Sequence, residues 1–189
     1  MEIPYVSIDD IAATRTIMEY LLSLGRRRIA FINGPIRYKY ARHRLQGYIN
    51  SLDKAGISQE SRLIIQLPEI NFNMAVSAVT QLLGGENLPD AFFCASDVYA
   101  AAVIKACTRM GLNVPRDIMV VGFDNVEIAS MLNPTITTVN QPRYQLGLSS
   151  CNLLIELINN PKSIIRSILL ETELIVREST SLASITQRE

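Results

Sequence analysis

Residues 90–125 read DAFFCASDVYAAAVIKACTRMGLNVPRDIMVVGFDN, two apolar runs on either side of a longer helical pattern. The run Ala91–Cys94 is short, apolar and rich in aromatics, as a buried strand is. The stretch 97–111 reads as a helix, and over 98–110 (VYAAAVIKACTRM) apolar residues cover most of its circumference. Such a helix is expected to be buried on more than one side, against a sheet and a partner chain. Asp97 has the character of its N-cap, and Gly111 that of the left-handed residue just past its end. A second apolar run follows at Ile118–Val121. Strand, helix and strand at this spacing make a βαβ unit with two parallel strands.

The alternation continues in both directions. Strands are expected at Tyr5–Ile8, Arg28–Ile32, Arg62–Gln66, near Ile136–Val139 and at Leu169–Ile175. Helices are expected at 10–25, 39–55, 73–84 and 143–159, with Gly25 and Gly56 just past two of the helix ends. This predicts an α/β fold: a doubly wound parallel sheet with helices on both faces. After Asn125 the pattern changes to NPTITTVNQPRYQLG (133–147), a helix and a final strand. A chain that leaves one layer and returns would do this, as in a two-lobed protein with several crossovers.

Composition narrows the function classes. The 189 residues are 48% apolar and 19% charged, an ordinary globular balance. Eighteen basic residues offset eighteen acidic ones, which argues against a dedicated nucleic-acid-binding domain. Cys94, Cys107 and Cys151 are odd in number and lie in apolar context, as buried thiols of a cytosolic chain do. No apolar stretch reaches membrane-spanning length, and MEIPYVSIDD at the start has no signal-peptide character. Glycine-rich phosphate loops, a nucleophile elbow and metal-ligand spacings are all missing, so neither an enzyme nor a cofactor or metal is expected.

In doubly wound sheets, ligands bind beyond the carboxyl ends of the strands. Here those edges are 33–40, 67–72, 95–97 and 122–125. The basic, tyrosine-rich stretch NGPIRYKYARHRLQGY (33–48) is therefore read as the lip of a small-molecule pocket. Arg44 offers a guanidinium suited to carboxylates, phosphates or vicinal hydroxyls, a surface arginine being the alternative. Asp124, at a strand end, can accept from sugar hydroxyls or an amine, or else cap a helix at 126–131. Tyr38, Tyr40, Ile70 and Phe72 could supply stacking or apolar faces. Ser96 is left open, and His43, with no partner evident in the sequence, is expected to face solvent.

The stretches VSIDD (6–10), LLSLGRRRIAFINGP (21–35), ARHRLQGY (41–48), 90–125, NPTITTVNQPRYQLG (133–147) and ELIVREST (173–180), in this order, resemble the lac repressor family of bacterial transcription regulators. The resemblance runs from about 5 to 180, and HRLQGY and QPRYQLG look most like its cytidine-responsive repressor branch. It implies a two-lobed, type I periplasmic-binding-protein-like fold that holds an effector between lobes. Arg44 and Asp124 fall on the family's effector-gripping arginine and aspartate, and Tyr38 and Tyr40 on loop positions lining the cleft. Phe72 or Ile70 falls near an aromatic contact position. Arg26 departs from the pattern, since a histidine usually follows the glycine at position 25.

The resemblance also implies a fragment that is mostly the carboxy-terminal lobe. Residues 9–125 and 164–180 would form that lobe. Residues 1–8 and 136–160 would be crossover strands and a helix of a largely missing amino-terminal lobe, and the DNA-binding head would be absent. The apolar face of helix 143–159 (Leu146, Leu153, Leu154, Leu157) would then be exposed or repacked. The implied function is the effector-sensing and dimerising part of a cytoplasmic repressor. Its partners would be a nucleoside or sugar effector, a second copy joined through 98–110 and 126–131, and operator DNA touched only through the absent helix-turn-helix head, with no membrane. The competing class is a periplasmic sugar- or solute-binding protein of the same fold.

Overall fold

A computed structural model describes residues 4–160 and 166–181. The elements are β1 (Val6–Ile8), α1 (Asp10–Ser23), β2 (Ile29–Asn33), α2 (Lys39–Lys54), β3 (Ile64–Gln66), α3 (Phe72–Leu83), β4 (Ala91–Cys94), α4 (Asp97–Arg109), β5 (Met119–Asp124), α5 (Ile128–Met131), β6 (Thr137–Asn140), α6 (Arg143–Asn159), β7 (Ile168–Leu170) and β8 (Glu173–Ile175). Six strands form one sheet in the order β3-β2-β4-β5-β6-β8. The first five are mutually parallel, and β8 closes the edge antiparallel to β6. β1 and β7 make a separate parallel pair.

β2 and β4 are buried along their whole length, which requires cover on both faces of the sheet. On one face Phe31 stacks on Phe93 with ring centroids 4.6 Å apart, and on Tyr48 of α2 at 5.1 Å. On the other face Gly122 of β5 meets Asp97 and Ala100 of α4. α2 and α4 therefore lie on opposite sides, and the doubly wound reading is borne out. Gly25, Gly56 and Gly111 all adopt positive φ past helix ends, as expected.

Several expectations are corrected. Leu169–Ile175 is not one strand. Ile168–Leu170 bonds to β1 in the small sheet, and after Glu171–Thr172 the chain crosses to pair with β6 in the large one. The division into lobes shifts for the same reason. Residues 137–140, expected with the smaller lobe, pair with β5 in the large sheet, and 168–170, expected with the larger, pair with β1. Residues 1–3 and 164–165 of that division lie outside the described residues.

α4 needs no second chain to cover it. Tyr99–Ile104, Ala106 and Cys107 are all buried between the sheet, α3 and α5. The apolar face expected on α6 is divided: Leu153 is buried, Leu146 and Leu157 are half-buried, and Leu154 is exposed. Cys151 is exposed, whereas Cys94 and Cys107 are buried as expected.

Asp97 is not the cap of α4. Ser96 is, its Oγ accepting from Tyr99 N–H at 3.3 Å. Asp97 sits one residue inside the helix and is fully buried. Its Oδ1 accepts from the Thr138 hydroxyl of β6 at 2.6 Å, and its Oδ2 from Val126 N–H at 2.8 Å. One carboxylate thus joins α4, β6 and the segment leaving β5. It fits only because residue 122 has no side chain, since a Cβ there would stand 2.2 Å from Asp97 Oδ1. Gly122→Ala is expected to cost roughly 1–3 kcal/mol through overpacking, read as a lower urea midpoint. An unchanged midpoint would contradict this packing.

Candidate effector cleft

The strand ends meet the small sheet at a cleft of about 380 Å³, within the size range of small-ligand sites. It is lined by Val6, Ser7, Ile8, Asp10, Tyr40, Arg44, Ile70, Ala95, Asp124, Gln141 and Leu146. Three connections cross between the two sheets beside it: Asp9 between β1 and α1, Gln141–Pro142 between β6 and α6, and Glu171–Thr172 between β7 and β8. The lining therefore draws on both sheets and, through Gln141, on one of these connections.

Of the six residues read from the sequence, four line this cleft: Arg44, Asp124, Tyr40 and Ile70. Tyr38 and Phe72 do not. Tyr38 stacks behind Tyr40, with ring centroids 5.8 Å apart, and is covered in turn by Arg37. Phe72 opens α3 as its first residue, outside the lining. The 67–71 loop is held by Tyr99, whose hydroxyl donates to Glu69 C=O at 2.8 Å, and this sets Ile70 at the rim.

Arg44 is 4% exposed, far from the surface arginine that the sequence also allowed. Its Nε donates to Asp10 Oδ1 at 2.8 Å and its Nη1 to Ala95 C=O at 2.7 Å. Its guanidinium lies 3.4 Å from the Phe123 ring centroid and 5.0 Å from that of Tyr40. The other cations of the basic stretch are occupied locally. Arg42 donates to the carbonyls of Ile36 and Arg37, and Lys39 lies over Tyr5. His43 is half-buried, not solvent-facing. At the loop's start Asn33 donates to Ala41 C=O at 2.9 Å, fixing how α2 begins.

Asp124 ends β5 with φ +109°, in a region that side chains other than glycine rarely occupy. It does not cap a helix. Gln141 donates to its Oδ1 at 2.5 Å. Burial pushes its carboxyl above the ordinary range, opposed by the Arg44 charge and the Gln141 bond. Asn125, also at positive φ, is held by Asn140 and Arg177, so the turn after β5 is fixed from three sides. A rare backbone conformation of this kind costs about 1–3 kcal/mol and is retained where a site needs it.

Sequence reasoning missed Asp10 and Gln141. Both lie in stretches quoted for the resemblance, VSIDD and QPRYQLG, but neither residue carries a chemical signal by itself. Their roles exist only through pairing with Arg44 and Asp124, 34 and 17 residues away. Among the described residues there is no group of three or more His, Cys, Asp or Glu able to hold a metal. No helix of the described residues is long and apolar enough to cross a membrane.

The periplasmic binding protein-like domain family matches residues 18–180. The chain belongs to that family. Among curated relatives, the HTH-type transcriptional repressor CytR of Escherichia coli K12 is 36% identical over 180 residues, covering 95% of this chain and 52% of CytR. The ribose operon repressor of Haemophilus influenzae is 34% identical over 159 residues, covering 84% of this chain and 48% of the repressor. The solved transcriptional regulator CelR–cellobiose complex superposes with a TM-score of 0.88 at 35% identity, over 94% of this chain and 54% of that one. The chain thus spans about half the length of the curated relatives it matches. The lac repressor resemblance and the type I periplasmic-binding-protein-like fold are both borne out.

Two predictions follow from the buried charges of this family member. Arg44→Ala leaves Asp10 buried without its cation and is expected to cost about 3–5 kcal/mol, part of it restored by adding Asp10→Asn. Urea denaturation of the single and double variants reads both effects. Asp97 titrates near pH 6 instead of 3.8, raised mainly by burial and lowered again by its bonds from Thr138 and Val126. Its folded form binds a proton more tightly than the unfolded chain does. Its contribution to stability is therefore full below about pH 4 and is lost as pH rises through 6, by about 3 kcal/mol at most. The difference between wild type and Asp97→Asn, measured from pH 4 to 7, should show that slope. Parallel curves would contradict it.

Proposed function

We propose that this chain is the effector-sensing part of a cytoplasmic, homodimeric transcription repressor and that it performs no catalysis. Its effector is a nucleoside or sugar, held in the cleft between the two sheets by Asp124, Arg44, Tyr40 and Ile70. The observation that carries this reading is Asp124, held at a strained φ by Gln141 on the cleft wall that it shares with Arg44. A carboxylate fixed in this way can accept hydrogen bonds from hydroxyls, while Tyr40 and Ile70 offer apolar faces to a ring. Names of relatives point the same way: one is a ribose operon repressor, and another regulator was solved with cellobiose.

Effector binding would favour one arrangement of the three connections between the sheets and so bias two states by differential affinity. In the longer protein that bias would reach operator DNA through a helix-turn-helix head. The dimer contact would use the exposed residues of the 98–110 and 126–131 stretches, among them Met110 and Met131.

Calorimetric titration with cytidine, adenosine, ribose and glucose tests the reading. Asp124→Asn is expected to lose tenfold to a hundredfold in affinity, the weight of a hydrogen bond to a charged acceptor. Asp124→Gly is expected to lose binding while gaining about 1 kcal/mol of stability from relief of its backbone. Binding that survives both substitutions would remove Asp124 from the site.

A further inference from the structure

Arg44 could in principle grip a carboxylate, a phosphate or a pair of hydroxyls, and these chemistries define different effectors. The surroundings of its guanidinium separate them. Anion recognition by arginine is strongest when two parallel N–H groups are free to face two oxygens. Here Nε is committed to Asp10 and Nη1 to Ala95 C=O, leaving Nη2 without a partner among the described residues. The Asp10–Arg44 pair is shielded from water, with the two side chains 8% and 5% exposed. The cleft therefore already contains the carboxylate that an acidic ligand would bring.

The charge of the lining agrees. Asp10 and Asp124 are acidic, Arg44 is basic, and the other lining residues are uncharged. Arg143, the next cation, is turned to Asn125 C=O at 3.1 Å and does not line the cleft. An entering phosphate or carboxylate would meet two carboxylates and only part of one guanidinium on the cleft wall, with Arg143 acting on Asp124 from outside the lining. A neutral polyol or nucleoside meets an acceptor at Asp124, a donor at Nη2 and the ring of Tyr40.

We propose that Asp10 is a specificity-determining residue, an internal carboxylate that occupies Nε of Arg44 while the Ala95 carbonyl occupies Nη1, and that it biases the cleft towards uncharged, hydroxyl-bearing effectors. This rests on the reading of the cleft as an effector site and narrows it. Phosphorylated sugars, nucleotides and sugar acids are disfavoured by the charge of the chain's own side chain. Asp10→Asn keeps the shape and an acceptor for Arg44 Nε but removes the charge. Because it also takes the counter-ion from a buried arginine, its circular dichroism and melting temperature are compared with wild type first, and the wild-type preference among ligands is read independently of it.

The experiment titrates wild type and Asp10→Asn with four probes: cytidine, ribose, cytidine 5′-monophosphate and inorganic phosphate. Wild type is expected to prefer the nucleoside to the nucleotide by at least about tenfold, the effect of one partly shielded unit charge, and to show no response to phosphate. In Asp10→Asn that preference should shrink by a similar factor, and phosphate should bind and raise the melting temperature. Equal binding of nucleoside and nucleotide by wild type would overturn the proposal. So would a preference or phosphate response that is the same in both proteins. If wild type binds neither cytidine nor ribose, the effector reading fails, and the phosphate arm still decides the role of Asp10: a response gained only in Asp10→Asn supports it, and none overturns it.

Discussion

The structure depends most on a single buried guanidinium. Arg44 belongs to α2, yet its partners are Asp10 of α1, the carbonyl at the end of β4 and the Phe123 ring of β5. A charge in that position is tolerable only with its hydrogen bonds satisfied and a counter-ion in place. The consequence runs in both directions. The helices that cover one face of the sheet are fixed relative to the strand ends, and the site at those ends inherits a rigid wall. A residue read from the sequence as a ligand contact is therefore structural, and its removal disturbs stability in its own right.

On the opposite face Asp97 does similar work with a different chemistry. Among the described residues no cation bonds to it, and it relies on a hydroxyl and a backbone N–H. The two buried acids flank Asp124. One anchors the arginine beside it, and the other anchors the segment that follows it. Asp124 can then sit at an unusual φ without the turn relaxing, because Gln141, Asn140, Arg177 and Thr138 hold it and Asn125. An acceptor pre-set in this way would lower the ordering cost of binding a ligand there.

Much of the fold was legible because it is written in local periodicity. The strand Ala91–Cys94 and the helix 143–159 emerge with the bounds that pattern and end signals suggest. What was not legible is non-local. Nothing in Leu169–Ile175 indicates that its two halves pair with different sheets, because pairing depends on where β1 and β6 lie. Asp97 looks like a cap because Ser96-Asp97 offers two capping residues in a row, and only the close approach at Gly122 makes the second one a core acid. The site divides along the same line. Arg44, Asp124, Tyr40 and Ile70 sit where strand ends predict a cleft, whereas Asp10 and Gln141 matter only through partners distant in sequence.

The central claim is that effector binds between the sheets against Asp124 and Arg44. Its most direct test is nuclear magnetic resonance of the isotopically labelled chain during titration with cytidine and with ribose. The side-chain amide of Gln141 and the Nε–H of Arg44 report on the two walls separately. Binding in the cleft should give saturable shifts of both signals with one of these ligands, at a common midpoint. Saturable shifts that leave both signals unmoved and gather elsewhere, as at the hollow between α1 and α2 beside Lys54 and Leu22, would place the ligand outside the cleft and contradict the account.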